Sequence, residues 1–188
     1  MNDSEIVELY WARKETAIGE TSRAYGAYCR SISRNIVGDS RDAEECLSDT
    51  WLAAWNSIPP QRPALLRAYL GKITRRLSLK KWREKHAQKR GGGEVALALD
   101  ELAECIPDGG GPEEALDAQL LTEAVNRFLA GLDGSERRVF ICRYWYLDPL
   151  KDICHRFGYS QSKVKSMLHR LRQRLRLQLE REGYFDEE

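Results

Sequence analysis

The sequence predicts an all-α fold of two small helical domains joined by a linker rich in glycine and acidic residues, the second domain carrying a helix-turn-helix. Three observations predict it. Apolar residues recur at three- and four-residue spacing along most of the chain, the period of an amphipathic helix. No segment alternates apolar and polar residues while rich in Val, Ile and Thr, as a strand would. Between residues 91 and 114, glycine clusters and acids interrupt the helical pattern, a composition that builds no core and marks a domain boundary. The 188 residues therefore divide into a first domain, 1–90, a linker, 91–114, and a second domain, 115–188.

Asn2, Asp3 or Ser4 caps a first short helix containing Ile6, Leu9 and Tyr10. A second runs from near Thr21 to Ile36, with Tyr25, Tyr28, Ile32 and Ile36 at helical spacing, and Gly38 ends it. Asp39 or Ser40 opens a third. Ala43, Leu47, Trp51, Ala54, Trp55 and Ile58 form its apolar face, and Pro59-Pro60 stop it, because proline cannot continue the backbone ladder. Pro63 starts a long fourth helix with Leu66, Tyr69, Leu70, Ile73 and Leu77 as its buried stripe, and Gly91-Gly92-Gly93 end the basic segment that follows. Within the linker, the apolar patch Leu97 to Leu102 suffices for one helical turn. Leu116, Leu120, Leu121, Val125, Phe128 and Leu129 mark a helix ending near Gly131. Asp133 and Glu136 have the spacing of a capping box before a helix with Val139, Phe140, Cys142, Tyr144 and Leu147.

Composition removes several classes of function. Nothing approaches the roughly 18 consecutive apolar residues of a membrane span. The start MNDSEIVELYW has no basic segment leading into an apolar run. No membrane insertion is expected, and the expected location is cytoplasmic. Cys29, Cys46, Cys105, Cys142 and Cys154 form no C-x-x-C pair, and their odd number argues for reduced thiols over a disulfide framework. Cys154-His155 alone falls short of the about four ligands zinc requires, so no metal or other cofactor is expected. His86, His155 and His169 lie in basic segments outside any Ser-His-Asp, H-E-x-x-H or phosphate-loop pattern, and no enzyme is expected.

The net charge of +1 conceals strong segregation. Residues 62–90 hold eleven Lys and Arg against the single Glu84, residues 91–126 hold nine acids and no Lys or Arg, and residues 151–181 hold nine bases against Asp152 and Glu180. Two separated basic blocks suit two contacts with a polyanion.

The second basic block is the more specific. Asp148 caps a helix whose first position is Pro149, where a missing N–H costs nothing, and which holds Leu150, Ile153, Cys154 and Phe157. Gly158 supplies the left-handed residue of a sharp turn. Ser160 then caps a basic helix with Val164, Met167, Leu168, Leu171 and Leu175 inside. Two helices joined by a tight glycine turn make a helix-turn-helix, whose second helix enters a DNA major groove N-terminus first. Gln161, Ser162, Lys163, Lys165 and Ser166 would stand at the base edges, and His169, Arg170 and Arg172 would reach phosphates. The plainer reading is a helical hairpin with a solvated basic face. In the first domain, Glu44, Glu45, Ser48, Asp49 and Leu52 form an exposed face on the third helix. Trp82, set among bases, either stacks on an unpaired nucleotide or packs into the core.

These residues resemble a known family, the extracytoplasmic-function (ECF) group of bacterial sigma-70 RNA polymerase sigma factors. DAEECLSDTWLAAW is similar to its polymerase-binding helix, AYLGKITRRLSLKKWREKHAQKR to its −10 segment, and LDGSERRVFICRYWYLDPLKDICHRFGYSQSKVKSMLHRLRQRL to its −35-reading region. The resemblance implies an alternative sigma factor that binds core RNA polymerase and directs initiation. Glu44, Glu45, Ser48, Asp49 and Leu52 would face the polymerase clamp. Arg75, Arg76, Lys80, Trp82 and Arg83 would lie along the melted −10 DNA. Ser160, Gln161, Ser162, Lys163, Lys165, Ser166, His169 and Arg170 would face the −35 duplex. An anti-sigma protein is implied as a further partner. Met167 stands where many members carry Arg, which removes one phosphate contact. The competing reading is a helix-turn-helix regulator that binds operators without polymerase. It leaves the first domain and its exposed acidic helix without a role.

Overall fold

The computed structural model describes residues 1–86, 93–106 and 114–185, the last segment with side chains from residue 118 onward. Among the described residues every regular element is a helix. The chain forms two compact units, residues 1–90 and 91–188.

The first unit holds α1 (Asp3–Trp11), α2 (Thr16–Val37), α3 (Ser40–Ser57) and α4 (Leu66–His86). Asn2 caps α1 in a reciprocal box with Glu5, its side chain accepting the Glu5 amide at 2.9 Å while Glu5 accepts the Asn2 amide at 2.8 Å. Asp39 caps α3 by accepting the amides of Arg41 and Asp42. Gly38 closes α2 with φ 72°, in the left-handed region that favours glycine. Two boundaries differ from the expected ones. α2 begins at Thr16, a turn earlier than its apolar stripe indicates, anchored by the buried Ala17. α4 begins at Leu66 and not at Pro63, and the Leu66 amide is received by Asp3 Oδ2 at 3.0 Å. The group that caps α4 thus comes from α1.

Ile6, Tyr10, Ala17, Cys29, Leu47, Ala54, Ile58, Leu66 and Leu70 form the core between these helices. Small polar side chains let α2, α3 and α4 approach closely. Ser78 pairs with Ser33 at 2.9 Å, and Thr50 bonds the Cys46 carbonyl at 2.7 Å. Each satisfies its buried hydroxyl, which would otherwise be costly.

The second unit holds α5 (Gly93–Ala103), α6 (Glu114–Ala130), α7 (Gly134–Tyr144), α8 (Leu150–Phe157) and α9 (Gln161–Arg181). Phe128, Val139, Phe140, Ile153, Val164, Leu168, Leu171, Leu175 and Leu179 are buried. α9 is the spine, packed by α6, α7 and α8. Arg137 joins α6 to α7 by donating to the carbonyls of Leu129, Ala130 and Leu132 at 2.7 to 3.0 Å. These are orphan acceptors at a helix end.

Three local expectations are corrected here. The patch read as one turn, Leu97 to Leu102, lies within α5, which runs for 11 residues. Glu136 completes no reciprocal box. Asp133 caps α7, and Glu136 instead receives Arg174 at 3.1 Å. Pro149 and not Asp148 occupies the cap position of α8. Asp148 is buried and pairs with Arg156 at 2.7 Å. For Glu136 and Asp148, a base from a neighbouring element takes the carboxylate that the local pattern assigns to a cap. Residues Lys89, Arg90, Gly91 and Gly92, read as the end of the basic segment, lie outside the described residues.

Candidate functional site

α9 owes its position to the turn before it. Gly158 closes α8 with φ 65°, and the Ser160 hydroxyl accepts the Lys163 amide at 3.2 Å, which starts α9. Val164, Met167, Leu168 and Leu171 bury one side of the new helix. Ser160, Gln161, Ser162, Lys163, Lys165, Ser166, His169 and Arg170 are all exposed on the remainder. Ser162, Lys165, Ser166 and His169 follow i, i+3, i+4, i+7 spacing and share one face. Gln161, Lys163 and Arg170 flank it, with Lys163 Nζ lying 3.7 Å from the centre of the Tyr159 ring. Met167 is buried at 6% exposure. That position packs the core.

On α4, Arg76, Lys80 and Arg83 are exposed. Lys72 is exposed four residues before Arg76 and extends the same cationic stripe. Arg75 and Trp82 are half-buried. Burial, then the nearby Arg83 charge, disfavours the Arg75 cation and lowers its pKa. Trp82 stacks on His86 with ring centres 4.9 Å apart and planes at 22°. It is half-buried, with His86 stacked against its ring.

α3 exposes Glu44, Glu45, Ser48, Asp49 and Leu52 together. Two of the acids already hold bases. Glu44 receives Arg30 at 2.6 and 3.3 Å, Glu45 receives Lys81 at 2.6 Å, and the neighbouring Asp42 receives Lys85 at 2.6 Å. The Arg30 bond and charge hold the Glu44 pKa below the ordinary carboxylate range, and Glu45 raises that of Lys81. Among the described residues Asp49 makes no ion pair. Leu52 is 58% exposed and borders a groove of about 630 Å³ lined by Ile18, Trp51 and Trp55. The two tryptophans read as core from sequence, because their spacing matches the apolar face. In the structure they are half-buried at its edge.

Cys154 and His155 lie on α8, and among the described residues no group of three possible metal ligands surrounds them. No described helix is long and apolar enough to cross a membrane.

Two family models match this arrangement. Residues 22–88 match Sigma-70 region 2, which spans α3 and the cationic stripe of α4. Residues 61–181 match ECF sigma factor, well over half of the chain. No curated protein sequence matches. Sigma factor families are DNA-binding initiation factors that bind core RNA polymerase and promoter DNA. With matches reaching from the second helix to the end of the ninth, the chain belongs to the ECF sigma factor family and is an alternative sigma factor that directs promoter-specific initiation of transcription.

Proposed function

We propose that three exposed faces divide the work of initiation in the cytoplasm. The N-terminal face of α9 reads the −35 duplex, α4 lies along the melted −10 strand, and α3 with its apolar groove docks on the clamp of core polymerase. The observation that carries the reading is the start of α9. A fully buried apolar side fixes the helix, and Ser162, Lys165, Ser166 and His169 project together from its capped N-terminal end. That is the end a recognition helix presents to the major groove. Lys165 has donors for a base acceptor, and Ser162 and Ser166 suit a base or a phosphate. Gln161, Lys163 and Arg170 sit where the backbone would pass.

On α4 the stripe Lys72, Arg76, Lys80 and Arg83 suits the phosphates of a strand. Arg75 and the part-exposed Trp82 suit its bases. Extruding a base costs a few kcal/mol, and contacts made only with the unpaired strand offset that cost. Bond-making belongs to the polymerase, and the chain supplies the address. An anti-sigma protein is the partner expected to cover these faces when the factor is silent.

Run-off transcription with purified core polymerase on a promoter library tests the reading. Specific start sites are expected. Absence of specific starts, under conditions where another sigma factor gives them, overturns it. Lys165→Ala is expected to cost roughly 1–3 kcal/mol and to relax preference at one −35 position. An unchanged preference removes Lys165 from base reading.

A further inference from the structure

The acidic helix α5 is seated on the second unit by charge as well as by apolar burial. Val95, Ala98 and Cys105 are buried against it. Glu94 Oε2 receives Arg143 Nη1 at 2.6 Å. Glu101 Oε2 receives the Tyr144 hydroxyl at 3.0 Å and lies 3.4 Å from both Arg143 Nε and Arg172 Nη1. Arg172 also donates to the Tyr144 hydroxyl at 2.7 Å, and Arg176 donates to the Glu104 carbonyl at 2.8 Å.

The bases engaged on α9 are not randomly placed. Lys165, His169, Arg172 and Arg176 follow i, i+4, i+7, i+11 spacing, a single stripe along the helix. Its first two members are exposed. Its third is only 15% exposed because α5 lies over it. The stripe that offers Lys165 and His169 to a duplex is therefore continued by Arg172, whose Nη1 faces Glu101 of the acidic helix, and by Arg176, whose Nη1 bonds the Glu104 carbonyl just after that helix while its Nε bonds Glu180 on α9. A guanidinium N–H bonded to a carboxylate or carbonyl is not available to a phosphate, and phosphate is the ligand it suits equally well.

We propose that α5 is an intramolecular strap that keeps Arg172 and Arg176 from the DNA backbone, so that seating of α5 and binding of duplex by the second unit oppose each other. The proposal rests on the reading of α9 as the duplex-facing helix. The strap is suited to release. It has 11 residues, too few to persist as a helix in water without its seat, and Glu94 is half exposed, so water reaches the carboxylate side of that pair while Arg143 is buried. Linkage makes the effect reciprocal: by whatever factor the strap weakens duplex binding, bound duplex weakens the strap.

The test uses the full chain and a mixed-sequence DNA duplex, followed by fluorescence anisotropy over a salt series. Glu94→Gln with Glu101→Gln keeps size and acceptors but removes the charges that hold the strap. Asp100→Asn with Glu104→Gln is the control, since it makes the same change in net charge on α5 and the residue after it without removing a side chain that bonds the second unit. The first variant is expected to bind about tenfold more tightly than the control, within the usual range of coupling between sites. Its log–log salt slope should be steeper by about 1–2, one increment for each phosphate gained. Adding Arg172→Ala and Arg176→Ala to it should abolish the gain. Equal affinity of the variant and the control overturns the strap.

Hydrogen exchange on the unaltered chain decides the question even if the variant misfolds. The amides of Gly93–Ala103 should lose protection when duplex saturates, and unchanged protection overturns the proposal. Lys165→Ala and His169→Ala separate the two levels of the argument. If they weaken duplex binding while the strap measurements show nothing, α9 stands and the strap falls. If they too change nothing, the reading of α9 falls and the strap with it.

Discussion

Arg143 is the largest fully buried side chain among the described residues, and its position is the least expected in the molecule. Its Nη1 and Nε meet Glu94 and Glu101, while Nη2 has no hydrogen-bond partner among the described residues. A buried guanidinium stabilises only if pairing offsets its desolvation, and an unpartnered donor adds a further cost. Removing the charge and its volume together should therefore be worse than replacing it with an apolar side chain. Arg143→Ala is expected to destabilise the second unit by about 2–4 kcal/mol, and Arg143→Met by clearly less. Urea unfolding checks this, and equal losses would mean that the charge pair itself stabilises the unit. From sequence, Arg143 reads as one more solvated base, because nothing in the run RYWY indicates that an acidic helix some forty residues earlier folds back onto it.

At the level of elements, the features written into adjacent residues were legible: Asp133 and Ser160 as caps, Asn2 and Asp39 as caps among two or three neighbouring candidates, Gly38 and Gly158 as terminators. The start of α4 and the seating of α5 were not, because Asp3 caps the one and Arg143 and Arg172 hold the other. The caps make a prediction about acid. The Glu136 amide and then the Ser135 hydroxyl hold the Asp133 pKa below its ordinary 3.8, and the amides of Asp42 and Arg41 do the same for Asp39. A carboxyl whose pKa is lower folded than unfolded contributes stability that is complete above the unfolded value and lost as pH falls through the folded one. Stability should thus decline below pH 3.8. Asp39→Asn with Asp133→Asn, which keeps an acceptor at each cap, should flatten that decline in an acid-unfolding titration, and an unaltered profile would remove the caps as its source. Gly158 makes a second prediction. Alanine at its left-handed φ should cost about 1–2 kcal/mol and weaken −35 binding along with the fold, because Tyr159 and Ser160, which set the start of α9, follow directly. Loss of stability with intact −35 binding would show that α9 keeps its place without the glycine turn.

For the molecule as a whole, the sequence order basic, acidic, basic becomes a set of internal neutralisations. Acids of α3 hold bases of α2 and α4, and acids of α5 hold bases of α7 and α9. With a net charge of +1, the chain has little long-range attraction for DNA, so contact with a promoter is expected to fall to the complex with polymerase. Exposure of the candidate faces on α3 and α9 was legible because it follows from helical period alone. Which charges are already satisfied was not, because the partners stand on other helices. This bears on where polymerase binds. Glu44 and Glu45 are held by Arg30 and Lys81, whereas Asp49 makes no ion pair among the described residues and Leu52 lines the tryptophan-lined groove. Burying a leucine is worth about 1.5–3 kcal/mol, and a carboxylate in its place adds a desolvation cost. Leu52→Asp should therefore weaken binding to core polymerase by at least about tenfold, by the affinity scale on which 1.4 kcal/mol is one decade. Asp49→Asn should weaken it more than Glu45→Gln, since Glu45 must first release Lys81. A titration against immobilised core polymerase, with thermal melts to confirm folding, measures all three. Wild-type affinity in Leu52→Asp would move the docking face away from the groove, and a larger effect at Glu45 than at Asp49 would mean that polymerase takes over the partner of Lys81.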